Sequence, residues 1–222
     1  MTQKEELLEI INQNLIKLKI FGKTKIKQLN TGEYLINESN DDFSKIIQVT
    51  FKISNNGFKL GSLTSWTSVN KIENITNKYL NKINLPNPTN HTLVYSEKSQ
   101  KLFRKLTRGT YTLHEFRGLI TQYLDPNLVD FFAYSTTYEG LLNHIENHKL
   151  SQIQSLGIGG KYPANIIKCI IIYYLNNRAK SAEKLIAEFI DWAEIDKENP
   201  RHGKHYDTYI ELLNRIRSDF TE

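Results

Sequence analysis

Two histidines, His144 and His148, stand four residues apart in a stretch of helical periodicity, so both imidazoles fall on one face. That spacing can grip a metal ion. The zinc-protease motif, however, puts its general-base glutamate directly after the first histidine, and Ile145 stands there. A catalytic zinc takes about three protein ligands, so His202 or His205 would have to supply another. The pair reads more economically as helix surface, and no cofactor or metal is expected. Gly157-Ile158-Gly159-Gly160-Lys161 invites a phosphate-loop reading but fails in detail. Ser155 occupies the place of the first glycine, and Tyr162 occupies that of the Ser or Thr that would reach magnesium. An interhelix hinge, with Pro163 early in the next helix, is the better expectation. Asp125, Asp130 and Glu139 could do acid–base work only if the fold paired them. No Gly-x-Ser-x-Gly nucleophile elbow is present. The single cysteine, Cys169, excludes an intrachain disulfide or a Cys-based zinc cluster. It lies in the apolar run Ile166–Ile172, where a buried thiol is expected. No residue is therefore assigned a catalytic role.

Two features point to binding instead. Lys98, Lys101, Lys105 and Arg108 recur at helical spacing with Arg104 beside them, a basic stripe that could meet phosphates or an acidic protein surface. Leu102, Phe103 and Leu106 supply the inward face, so no aromatic interleaving suits base stacking, which weakens a single-strand nucleic-acid reading. An ordinary solvated helix face explains the stripe equally. Trp66 closes a candidate strand. Exposed on a sheet it would anchor a partner, whereas tryptophans more commonly sit in a core.

The elements that must position these residues are legible in part. Thr2-Gln3-Lys4-Glu5 is a capping box, followed by Leu7, Leu8, Ile11, Leu15 and Leu18 at helical spacing, which predicts a helix over 3–19. Strands are expected over 24–29 and 33–37, flanking the turn Asn30-Thr31-Gly32. Ile47, Val49, Phe51 and Ile53 alternate with polar residues, a half-buried strand. Asn55-Asn56-Gly57 predicts a hairpin turn, with Phe58 to Trp66 returning and Gly61 marking a bulge or close approach. Asn70 with Glu73 caps a helix that ends before Pro86, and a short fifth strand is expected near 91–95. A helix is expected over 98–106. Further helices are expected over 113–124, 128–134, 138–149, 164–175, 181–193 and 206–220, with an Asn176-Asn177 turn making an αα-hairpin.

The fold class expected is α+β. An amino-terminal helix packs on an antiparallel meander of four or five strands, and a mainly helical carboxy-terminal half follows. The division expected is a helix-plus-meander subdomain over 1–110 and a helical subdomain over 111–222, packed on it as one compact unit. The chain has 222 residues, enough to bury roughly 70% of its unfolded surface without disulfides. No apolar stretch approaches the ~20 residues that span a bilayer. The amino terminus lacks the basic-then-apolar pattern of a signal peptide, so a cytoplasmic protein without membrane partners is expected. The net charge of +5 is uneven. Residues 1–110 hold 17 Lys/Arg against 9 Asp/Glu, a net +8, and residues 111–222 hold 12 against 15, a net −3. That polarity favours an acidic partner for the first half.

The order of elements resembles a bacterial family of small α+β proteins, some thought to be immunity proteins for secreted toxins. The likeness rests on the amphipathic first helix, a strand of the Ile46-Ile47-Gln48-Val49-Thr50-Phe51 kind, and a helical pair running from Ile172-Tyr173-Tyr174 through Ala182. The resemblance implies a non-catalytic protein that neutralises a toxin by direct binding. It transfers no functional residue, because these motifs are structural. The alternatives are a nucleic-acid-binding module using the basic half, and a metal-dependent enzyme using His144 and His148. The sheet is the candidate binding face.

Overall fold

The structure, a computed structural model, describes residues 2–54, 57–82, 90–95, 107–124, 127–149, 152, 156–160, 162–195, 197–199 and 203–221. An amino-terminal helix, a five-stranded antiparallel sheet and a mainly helical remainder follow in order, as the periodicities predict. The chain groups into two compact units. One comprises Met1–Asn70 with Leu93–Gly140, the other Lys71–Thr92 with Leu141–Glu222. Each unit thus draws on two stretches of chain, where the sequence suggested one boundary near 110.

In the first unit, α1 (Gln3–Lys17) starts at the expected capping box, with Glu5 N–H donating to the Thr2 hydroxyl and Thr2 N–H to the Glu5 carboxylate. It ends two residues earlier than its apolar periodicity suggests. Lys19 takes a left-handed φ of 56°, and Ile20 N–H returns to Leu15 O at 3.0 Å. That six-to-one bond is a Schellman stop, built here without glycine. The buried Ile20 and Phe21 beyond it compensate.

The sheet runs β1 (Lys25–Asn30), β2 (Glu33–Ser39), β3 (Phe43–Ser54), β4 (Gly57–Val69) and β5 (Leu93–Val94), in that spatial order. Ser54 pairs with Gly57, so the expected hairpin is formed, and Asn55 and Asn56 between them lie outside the described residues. Gly57 belongs to the returning strand rather than the turn. Its φ is 124°, and an added Cβ would lie 2.5 Å from Tyr111 O. Phe58 and Tyr111 exchange both backbone bonds, at 3.0 and 2.8 Å, just beside that approach. Gly61 is the extra residue of a bulge, since Thr50 pairs with Ser62 and Phe51 with Leu60. The buried face of the meander carries Tyr34, Ile36, Ile47, Val49, Phe51 and Leu63. Among the described residues this unit also holds α3 (Leu113–Leu124), α4 (Asn127–Ser135) and the first residues of α5 (Tyr138–Glu146); Asn70, the first residue of α2 (Asn70–Lys82), donates its N–H to Asp42 O at 2.8 Å. A second capping box, Thr112 with Glu115, opens α3. Edge-to-face ring pairs join Phe58 to Phe116 and Phe21 to Phe132.

The second unit centres on α6 (Ala164–Leu175), whose residues 164–174 are all buried. A helix apolar on every side belongs in an interior. It ends in the expected asparagine turn, with Asn177 at φ 57° and Arg178 N–H bonded to Tyr173 O at 2.9 Å. α7 (Ala179–Ile195) presents Ala182, Leu185, Ile186, Phe189 and Ala193 as its buried stripe. A 3-10 turn, Gly203–His205, leads into α8 (Tyr206–Thr221). Tyr162 packs edge-on against Phe189 and Tyr209. The Glu183 carboxylate accepts from Tyr174 at 2.6 Å and from Arg217 at 2.7 Å. Among the described residues no helix is long and apolar enough to cross a membrane.

Candidate functional site

The two histidines do come together, with ring centroids 5.1 Å apart, although α5 ends at Glu146, earlier than the expected 149, and His148 lies just past it. One nitrogen of each ring bonds to the backbone. His144 Nε2 lies 2.7 Å from Leu156 O, and His148 Nδ1 lies 2.7 Å from His144 O. Burial lowers the pKa of the half-buried His144, favouring its neutral form. Among the described residues no group of three His, Cys, Asp or Glu side chains is placed to hold a metal; His202 lies outside them. The glycine-rich segment is packed rather than open to a phosphate. Gly159 N–H donates to Thr92 O at 3.1 Å, and a Cβ on Gly159 would lie 1.9 Å from His91 O. Only glycine permits that approach. Asp130 and Glu139 are exposed on different helices, and Asp125 lies outside the described residues. Cys169 is fully buried, which pushes its thiol up to about 12 and keeps it protonated.

The second unit does contain a buried charge that its apolar context conceals. Lys168, 0% exposed on α6, lies 2.9 Å from the Glu73 carboxylate of α2 and donates to His91 O at 2.7 Å. The Thr92 hydroxyl donates to the other Glu73 oxygen at 2.6 Å. Burial lowers the Lys168 pKa, opposed by the Glu73 charge, and burial with the Lys168 charge pushes His91 down to about 4. Lys168 and Glu73 thus fix His91 and Thr92 against two helices. The arrangement holds backbone; it offers no exposed reacting atom.

The binding residues expected from the sequence fare differently. Lys98, Lys101, Arg104 and Lys105 lie outside the described residues, and Arg108 is exposed at the end of a helical turn. Trp66 is not an exposed anchor. It is 6% exposed, because β4 from Ser65 to Val69 is buried on both faces, not one. It pairs with Ile46 on one side and Val94 on the other.

Among the described residues, an accessible basic surface of the first unit lies along β1. β1 is exposed along its whole length and forms the outer edge of the sheet. Among the described residues, no strand pairs with its outer side. From Ile10 to Gly32 the chain has five lysines, Lys17, Lys19, Lys23, Lys25 and Lys27, and no acidic residue. Ile26 is 43% and Leu29 40% exposed among them. Leu29 is an extra residue, since Gln28 pairs with Tyr34 and Asn30 with Glu33. Beside the end of β1 a groove of about 520 Å³ is lined by Lys4, Gln28, Tyr34, Phe51, Lys52 and Ile53, among others. Its floor is the stacked pair Tyr34–Phe51, with centroids 5.2 Å apart. Lys4 Nζ sits 4.8 Å over Tyr34 and donates to Gln28 at 3.1 Å. Sequence periodicity missed this surface because its lysines are spread over a helix end, a loop and a strand. Their signal was the unbroken absence of Asp and Glu. Compared with known proteins, the chain matches no family model, no curated protein and no solved structure.

Proposed function

We propose that this chain is a non-catalytic protein-binding protein whose first unit takes an acidic partner along the β1 edge. The observation that carries the reading is the open strand itself: Lys25 and Lys27 interleave with exposed Ile26 and Leu29, next to a groove with lysines on its lining. Charge complementarity steers such a partner and selects against basic ones, while the apolar side chains and the groove supply area to bury. The packed glycine segment, and the backbone bond that holds one nitrogen each of His144 and His148, favour binding over chemistry. The resemblance to immunity proteins accords with this reading and would make the partner a cognate toxin. A protein partner is favoured over nucleic acid, because the two rings that line the groove, Tyr34 and Phe51, stack on each other and are buried rather than offered to bases.

The test is affinity capture from the host with the wild-type chain and with Lys25→Glu/Lys27→Glu as parallel baits. The expected result is a partner with an acidic surface, retained by the wild type, lost by the variant, and released by salt. Equal capture by both baits, or retention of nucleic acid instead of protein, would contradict the reading.

A further inference from the structure

The edge strand and its neighbouring groove together imply how the partner is held. Resting on the reading above, we infer that the site accepts an extended acidic segment of the partner as an additional β-strand against β1, with one apolar side chain of that segment seated in the groove against the exposed Ile53. A strand at a sheet edge presents a row of main-chain donors and acceptors that a further strand can satisfy. β1 has that edge, six residues long, at the end of a sheet of five. Gln28 belongs to both features, being a β1 residue and part of the groove lining. A strand laid along β1 therefore runs into the groove. There the apolar Ile53, 43% exposed, and the lysines Lys4 and Lys52 lie beside the stacked rings.

The charge selects the occupant. A second copy of this chain, paired edge to edge, would bring Lys25 and Lys27 against the same lysines, and like charges on adjacent strands are unfavourable. Lysines and bulges are the devices by which edge strands discourage such pairing. An acidic strand reverses the sign of the lysine contribution and turns the same residues into partners. The bulge at Leu29 leaves the paired stretch from Lys25 to Gln28 regular and increases the twist toward the groove.

The experiment uses the full chain and a fluorescent synthetic peptide alternating glutamate with valine around one central phenylalanine. Matched controls are the same peptide with alternate backbone nitrogens methylated, and a single-stranded DNA of equal charge. Fluorescence anisotropy at low salt should show the unmodified peptide bound and the methylated one at least about tenfold weaker, because methylation removes main-chain donors and leaves the charge. Ile53→Asn should weaken the unmodified peptide and leave a peptide with alanine at the central position unchanged. Equal binding of the methylated peptide would overturn strand addition while leaving an acidic partner intact. No peptide binding, alongside a captured protein still lost by Lys25→Glu/Lys27→Glu, would have the same meaning. DNA bound more tightly than the peptide would overturn both this inference and the function proposed above. A dimer of the chain alone by light scattering, abolished by the same two substitutions, would replace the acidic segment with a second copy and so overturn it.

Discussion

Replacing Lys168 by methionine keeps much of the side chain's length and removes its charge, leaving Glu73 with a side chain 4% exposed and no ammonium beside it. At 2.9 Å and an effective dielectric near 20, the attraction lost is about 6 kcal/mol. The desolvation of the lysine, which lowers its pKa, is recovered in the variant and offsets part of that. A net cost of about 3–5 kcal/mol follows, the usual result of removing one partner of a buried pair. Glu73→Gln/Lys168→Met removes both charges while leaving an amide to accept from the Thr92 hydroxyl, now held at 2.6 Å. Its cost should fall to about 1–2 kcal/mol, the remainder being the donor lost by His91 O. The assay is urea denaturation followed by Trp192, which lies in the second unit, in a Trp66→Phe background. A single variant within about 0.5 kcal/mol of its parent, or a double variant worse than the sum of the two singles, would refute the reasoning.

Two further outcomes are expected. His91 is held near 4 by burial and the Lys168 charge against an ordinary 6.5, so the unfolded chain binds its proton first as pH falls. Its contribution is complete above 6.5 and is lost down to about 4. After allowance for the partly exposed ring, this amounts to about 1–2 kcal/mol. Urea midpoints between pH 7 and 4 should therefore fall less steeply for His91→Asn than for the wild type, and parallel slopes would contradict the assignment. Gly57→Ala places a Cβ 2.5 Å from Tyr111 O at a φ of 124°. It should cost about 2–4 kcal/mol in a denaturation curve followed by Trp66, and a neutral substitution would show that the strand shifts freely there.

The sequence made the local signals plain where one residue type sufficed. Thr2 with Glu5 gave the first cap, the alternation from Ile47 to Ile53 gave the central strand, and Gly61 marked the bulge. Asn176-Asn177 marked the helical turn. What stayed hidden depends on contacts between distant segments. Lys168 reads as an interruption of an apolar run until Glu73 and His91 are brought to it. Trp66 ends a strand returning beside one whose alternation implies a wet face, and tertiary packing buries Ser65 to Val69 on both faces. The helix over 3–19 stops at Lys17 because a lysine adopts the conformation normally left to glycine. The basic surface was legible as a charge excess of the first half. The share of it along β1 was not singled out, because helical spacing drew attention to residues 98–108, most of which lie outside the described residues, while the lysines along β1 follow no single period.

Amide hydrogen exchange of the first unit tests the binding edge most directly. It would be measured on the chain alone and with the protein partner retained by the wild-type bait. The outer side of β1 lacks a pairing strand among the described residues, so amides within Lys25–Asn30 that face outward should exchange readily in the free chain. On complex formation they should slow by at least about tenfold, the usual signature of new main-chain hydrogen bonds. Unchanged exchange across Lys25–Asn30, with the partner demonstrably bound, would contradict the account.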